Sequence, residues 1–298
     1  MKQHILIAVD DFDSSILKKI SAAVSDWAVV KAIKQDSPEK KYRSALKSSD
    51  ICIGWPKAEW LFDTGIRFLQ TGSSGWEQYK GKGLELIDNF SLCTARGIYT
   101  TGAAEHAIAM MLALVRRIPA HVHDKDQKKF RRHLPYAAEI NGSVACIVGM
   151  GEIGKEIAGR CKGLGMAVIG VIRSTKAGIE KLVDKVFDVS EMKTAISKAD
   201  HIFLAIPGTG ENAGLLSREM LLSCKKSAFL YNISRGNILD EAVLYEFIRD
   251  KRIAGAGLDV TAVEPLPVRS KLWKLGDNVL ITGHSAGLSA GHTSRFQQ

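Results

Sequence analysis

Arg235, Glu264 and His284 are the side chains of this 298-residue chain best suited to joint acid–base work on a small carboxylic acid. A guanidinium can pair bidentately with a carboxylate and polarise a neighbouring carbonyl. An imidazole can pass a proton to or from an oxygen, and a carboxylate beside it fixes the ring and stabilises its protonated form. Each of the three follows a short apolar run that reads as a strand. Arg235 comes after residues 228–232, Asp259 and Glu264 after 254–258, and His284 after 279–282. The ends of parallel strands gather at one edge of a sheet. Three such groups at one edge point to a site where any one alone would read as structural.

The second ingredient is Gly149-Met150-Gly151-Glu152-Ile153-Gly154. It follows the β-branched run 144–148 and opens a helix whose apolar stripe is Ile153, Ile157, Cys161 and Leu164. Strand, glycine turn and helix together make the dinucleotide-binding fingerprint meaningful. Gly149 permits the tight turn, Gly151 lets backbone approach a pyrophosphate, and Gly154 lets helix and strand pack closely. Glu152 and Ile153 begin the helix, whose free N–H groups favour an anion. The next strand, 167–172, should end beside the adenosine ribose, where an NAD site usually places a carboxylate. Here Ile172 is followed by Arg173-Ser174-Thr175-Lys176. Arg173 suits a 2′-phosphate, with Lys176 adding charge, so the expected cofactor is NADP(H) in preference to NAD(H), with NAD(H) possible.

The elements that must position these groups alternate strand and helix along the chain, which implies parallel sheets covered by helices. An N-terminal set of strands is expected at 4–9, 51–53, 68–70 and 92–94, then a long helix from about 103 to 115. A second set is expected at 144–148, 167–172, 201–206, 228–232, 254–259 and 279–282, the count of a doubly wound sheet. At 298 residues there is length for two cores. Hydrophobic content of 46% and charged content of 24% are those of an ordinary globular protein. The first residues read as a strand and not a signal peptide, and the apolar run 107–115 is too short to span a bilayer. Five cysteines without CxxC spacing argue against a disulfide framework or a zinc site, so no metal is expected and a cytoplasmic setting is. The net charge is +9, and its densest basic stretch is residues 125–132, without any recognisable nucleic-acid module. That stretch is expected to be a solvated helix face, so neither nucleic acid nor membrane is an expected partner.

The chain resembles the D-isomer-specific 2-hydroxyacid dehydrogenase family. The likeness is carried by Phe68 to Gly75, by Ala103-Ala104-Glu105-His106-Ala107 and by the glycine motif. It continues through Ile206-Pro207-Gly208-Thr209, Asn232-Ile233-Ser234-Arg235-Gly236, Gly257-Leu258-Asp259-Val260, Glu264-Pro265-Leu266-Pro267 and Thr282 to Gly287. The arginine after the second strand is similar to the NADP-using glyoxylate/hydroxypyruvate reductase branch. The resemblance implies an α/β fold of two Rossmann-like domains, with the nucleotide-binding domain inserted into a flavodoxin-like substrate domain. The implied limits are 1–100, 101–283 and a return from 284 to 298. It implies hydride transfer between NAD(P)H and a small 2-oxo or 2-hydroxy acid. Arg235 would bind the substrate carboxylate, His284 would be the general acid in reduction, and Glu264 would hold the imidazole. Ser74 and Gly75 would offer backbone N–H groups to the carboxylate. Pro207, Thr209, Ser174, Asp259 and the Ile233–Ser234 turn would contact the cofactor. A homodimer through the nucleotide domain is also implied.

Two departures stand out. Trp76 occupies a position where the family commonly has a smaller aliphatic residue. The chain also ends at Gln298, soon after His284, where relatives usually continue into a further helix. The other enzyme reading is an NAD-dependent phosphoglycerate- or D-lactate-type dehydrogenase. The reading from another class is a catalytically silent, cofactor-sensing binding protein.

Overall fold

The structure, a computed structural model, describes residues 2–10, 12–132, 138–174 and 178–297. It divides into two compact units, Met1–Ile98 with Ala290–Gln298, and Tyr99–Ser289.

The first unit is built on strands β1 (Gln3–Ala8), β2 (Ala28–Ala32), β3 (Ile51–Gly54), β4 (Phe68–Gln70) and β5 (Ser91–Cys93). They form a parallel sheet in the order β2-β1-β3-β4-β5. Alternation along β1 divides its side chains between two cores, as a period of two requires. Leu6 and Ala8 pack with Tyr42 and Leu46 of helix α2 (Glu39–Lys47). Ile5 and Ile7 pack on the other face, with Leu17 and Ile20 of helix α1 (Ser14–Ala23) against them. Phe296 of the C-terminal helix, Ala290–Gln297, joins that second core and stacks on Phe12.

The second unit contains helices α3 (Thr100–Val115) and α4 (Ile118–Asp126), then β6 (Val144–Val148), α5 (Glu152–Gly163), β7 (Ala167–Ile172) and β8 (Lys185–Asp188). It continues with α6 (Met192–Lys198), β9 (His201–Leu204), α7 (Arg218–Leu222), β10 (Phe229–Asn232), α8 (Glu241–Arg249), β11 (Gly255–Leu258) and β12 (Val279–Ile281). All seven strands are parallel, in the order β12-β11-β10-β9-β6-β7-β8. Again the strands are apolar on both faces. Cys146 and Val148 face a core with α6, α7 and α8, whereas Ala145 and Ile147 face one with α3 and α5. Helices therefore cover both sides of the sheet, the doubly wound arrangement the alternating pattern implies.

Two strands were not expected from the sequence, β2 and β8. Both are edge strands. In β8 only Phe187 is buried, and Lys185 and Asp188 bracket too short an apolar run to read as a central strand; β2 is apolar in sequence, with Val29 and Val30, although only Ala28 is buried. The limits of the second unit also differ from the expected 101–283. Residues 284–289 pack with it because the N–H groups of His284, Ser285 and Ala286 are bonded to Asp259. His284 therefore belongs to this unit and not to a return segment.

Candidate active site

The glycine turn joins β6 to α5, and each glycine answers to a different constraint. Gly149 has φ 99°, and a Cβ there would lie 2.5 Å from the Ala205 carbonyl oxygen. A Cβ on Gly154 would lie 2.0 Å from the Gly149 carbonyl oxygen, so helix and turn could not pack as they do. At Gly151 a Cβ would meet no protein atom within 4 Å. Gly151 precedes the first turn of α5, and no side chain caps that turn. The helix N-terminus is thus open to an anionic ligand, with the space above it unfilled by protein. Glu152 is exposed there and accepts a weak hydrogen bond from Thr100 at 3.5 Å, while Ile153 packs partly into the α3/α5 core.

A cavity of about 350 Å³ lies beside this turn. Of the expected cofactor residues, Gly149, Gly151, Arg173, Ser174, Pro207 and Thr209 line it, and Glu211 and Asn212 join them. The donor set suits a dinucleotide: a glycine turn and helix N-terminus for phosphates, apolar walls including Val171, Ile172 and Ile206 for a base, and one guanidinium. Arg173 Nη1 pairs with Glu211 Oε2 at 2.8 Å, and its Nη2 donates to Asn212 Oδ1 at 2.9 Å. Lys176, the second expected cation, lies outside the described residues.

The loop after β10 carries Arg235. Asn232, fully buried, holds it at both ends: its Nδ2 donates to the Arg235 carbonyl at 2.9 Å and its Oδ1 accepts from Ser234 N–H at 3.1 Å. The Ser234 hydroxyl donates to Leu204 O at 2.6 Å and accepts from Ile206 N–H at 3.1 Å. It thereby ties this loop to the end of β9. Ile233 is buried in the α3/α5 core. The arginine stem crosses Gly208, where a Cβ would come within 2.4 Å of Arg235 Cγ, and Nη1 donates to Ser234 O at 2.7 Å. A Cβ on Gly236 would overlap the Thr261 backbone at 1.9 Å, so the loops after β10 and β11 lie in direct contact.

Beyond β11, Glu264 uses one oxygen to accept from Thr261 N–H at 3.1 Å and the other to meet His284 Nδ1 at 2.7 Å. Since Nδ1 is committed to Glu264, Nε2 is the nitrogen left for exchange with a substrate oxygen. His284 has φ 53°, a left-handed conformation uncommon for a residue with a side chain. Asp259, 2% exposed, clamps the surrounding loop. Its carbonyl accepts from His284 N–H at 2.7 Å, and its carboxylate accepts from Thr282 Oγ1 at 2.6 Å, Ser285 N–H at 2.9 Å and Ala286 N–H at 3.0 Å. His106 of α3 lies 3.0 Å from Thr282 Oγ1. The sequence expectation gave Asp259 a cofactor contact; its carboxylate here holds the histidine loop.

Ser74 and Gly75 belong to the first unit, in the loop after β4. Ser73 shapes that loop: its hydroxyl donates to Gly75 O at 3.1 Å, and its carbonyl accepts from Ala95 N–H and the Thr71 hydroxyl. Ser74 and Trp76 are exposed. Glu211 and Asn212 were not singled out from sequence, and Asn232 and Thr282 were quoted only as parts of motifs, with no role at the site. For Glu211 and Asn212 the one available signal was that they directly follow Pro207-Gly208-Thr209-Gly210. Among the described residues, no group of three His, Cys, Asp or Glu side chains is arranged to hold a metal ion, and no helix is long and apolar enough to cross a membrane.

The glycine turn and the sheet it joins lie largely within the stretch that matches a known family model. Residues 108–286 match the D-isomer specific 2-hydroxyacid dehydrogenase family, NAD binding domain, and the chain belongs to that family. It is 37% identical to a D-3-phosphoglycerate dehydrogenase of Archaeoglobus fulgidus over 220 residues, 69% of this chain and 40% of that protein. It is 33% identical to a glyoxylate reductase of Korarchaeum cryptofilum over 214 residues, 68% of this chain and 63% of the relative. The chain thus spans less than two thirds of the length of these relatives. Its fold matches an acyclic imino acid reductase solved with NADPH and D-Arg at a TM-score of 0.84 and 23% identity, covering 99% of this chain and 93% of that one.

Proposed function

We propose that the chain interconverts a small 2-oxo acid and its D-2-hydroxy acid with a nicotinamide dinucleotide. The observation that carries this reading is the 2.7 Å pairing of His284 Nδ1 with Glu264 Oε2, in the unit that also holds Arg235 and the open glycine turn. The cofactor, when bound, supplies or accepts the hydride. Arg235 binds the substrate carboxylate and draws charge toward the carbonyl oxygen. His284 gives that oxygen a proton from Nε2 in reduction and removes it in oxidation, while Glu264 stabilises the imidazolium.

On the cofactor, Arg173 supports NADP(H) over NAD(H), because β7 ends without a carboxylate for a ribose diol. On the acid, relatives named D-3-phosphoglycerate dehydrogenase favour a phosphoglycerate-type substrate over the glyoxylate or hydroxypyruvate that the sequence suggested. Reduction of glyoxylate or hydroxypyruvate is the second reading, supported by Arg173 and by the glyoxylate reductases among the relatives. A homodimer in the cytoplasm completes the proposal; the five unpaired thiols suit a reducing compartment. The test is turnover of phosphohydroxypyruvate, pyruvate, glyoxylate and hydroxypyruvate with NADPH and with NADH. Binding of cofactor without turnover of any 2-oxo acid would replace the enzyme by a cofactor-sensing binding protein.

A further inference from the structure

We infer that Glu211 sets the balance between the 2′-hydroxyl and 2′-phosphate forms of the cofactor, supplying from the loop after β9 the carboxylate that the end of β7 lacks. This rests on reading the cavity beside the glycine turn as an NAD(P) site.

β7 and β9 flank β6, so the segments that follow them approach one another across the glycine turn. Arg173 comes from one side, and Glu211 and Asn212 come from the other; all three line the cavity. Both terminal nitrogens of the guanidinium are engaged, one by Glu211 Oε2 at 2.8 Å and one by Asn212 Oδ1 at 2.9 Å. The two acceptors differ in kind. Asn212 is 4% exposed, and its Nδ2 donates to Pro207 O at 2.8 Å, which fixes Oδ1 toward Arg173. The Glu211 side chain is 75% exposed and free to be displaced.

A 2′-phosphate can take the Glu211 edge of Arg173 only by displacing that carboxylate, and two anions then share one cation. A ribose diol instead finds a carboxylate acceptor already in place, the arrangement that elsewhere in such sheets comes from the end of the second strand. Arg173 and Glu211 therefore pull in opposite directions. The pair is solvent-exposed, so salt weakens both pulls.

Two ligands that differ only at this position, adenosine 5′-monophosphate and adenosine 2′,5′-bisphosphate, test the inference by calorimetric titration of the full chain. Glu211→Gln should tighten the bisphosphate about fivefold to tenfold at low ionic strength and weaken the monophosphate about twofold. About 0.5 M salt should remove most of the first change. In Arg173→Ala/Glu211→Gln the gain for bisphosphate should vanish. An unchanged ratio in Glu211→Gln, or a gain that survives loss of Arg173, would overturn the inference. If neither ligand binds the unaltered chain, it is the nucleotide reading of the cavity that fails. If both bind and the ratio ignores Glu211, only the role of Glu211 fails.

Discussion

Asp259 holds His284 in its left-handed conformation: the Asp259 carbonyl accepts the His284 N–H at 2.7 Å, and its carboxylate takes the next two N–H groups. A φ of 53° is uncommon for a residue with a side chain, and these bonds, with that from Thr282, hold the loop that sets it. Asp259→Asn retains the shape and loses one acceptor oxygen, leaving a buried N–H unpaired and setting an amide NH2 against a donor. Stability should fall by roughly 1–3 kcal/mol, read as a lower urea midpoint, and kcat should fall with it. A variant with wild-type midpoint and kcat would show that the clamp is idle.

His284→Gln and Arg235→Ala should fail in different ways. Proton transfer belongs to the transition state, so the first should lower kcat by roughly 10²–10⁴ with little change in KM. Loss of the carboxylate anchor should raise KM as well as lower kcat. Steady-state kinetics with the best 2-oxo acid separate the two patterns, and near-normal activity in both variants would remove the catalytic assignment.

Arg173→Ala should weaken NADPH by roughly 1.5–3 kcal/mol, the range for a lost charged hydrogen bond, with a smaller effect on NADH. Fluorescence titration of each reduced cofactor measures this directly. Equal losses for both would place Arg173 outside the recognition of the 2′-phosphate.

Gly154→Ala should abolish cofactor binding, because its Cβ would fall 2.0 Å from the Gly149 carbonyl oxygen and force the turn open. Gly151→Ala meets no protein atom and should leave the melting temperature unchanged while weakening cofactor. Similar melting temperatures combined with unchanged cofactor affinity in the Gly151 variant would argue that nothing approaches the backbone there.

His201 should make the second unit acid-sensitive. Burial pushes its pKa down to about 4, with Asp200 opposing the shift, and its ring contacts the Tyr231 hydroxyl at 3.1 Å. In the unfolded chain the imidazole titrates near 6.5, so as pH falls the unfolded state takes up the proton first. The stabilisation is complete above that value and is lost as pH falls toward about 4, a loss of roughly 3 kcal/mol. Comparing urea midpoints at about pH 7 and about pH 4.5, His201→Asn should lose less than the unaltered chain. Equal losses would mean that other groups govern the acid response.

The central strands were legible because Val144–Val148, Ala167–Ile172 and their neighbours are buried on both faces and read as unbroken apolar runs. Arg235, Glu264 and His284 stand out as candidates because each follows such a run. The Arg173–Glu211 pair was not legible, since 38 residues separate its members and only the β7-β6-β9 order brings them together. Nor was the clamp by Asp259: a single acidic residue after a strand does not say whether it faces a ligand or the next loop. The edge strand β8 escaped because Lys185 and Asp188 leave only two apolar residues between them, whereas β2, with Val29 and Val30, carried a readable apolar run.

The order β12-β11-β10-β9-β6-β7-β8 makes the sheet a ruler. Parallel strands are spaced by about 4.8 Å, so the end of β7, with Arg173, stands three steps or roughly 14 Å from β10, whose loop carries Arg235, and five steps or roughly 24 Å from β12, which leads to His284. In the proposed reading, cofactor choice is graduated at one end of that scale and acid–base chemistry at the other, with the glycine turn between them. Exchanging a loop can therefore retune one end without recalibrating the other, while inserting or deleting a strand would shift every mark at once.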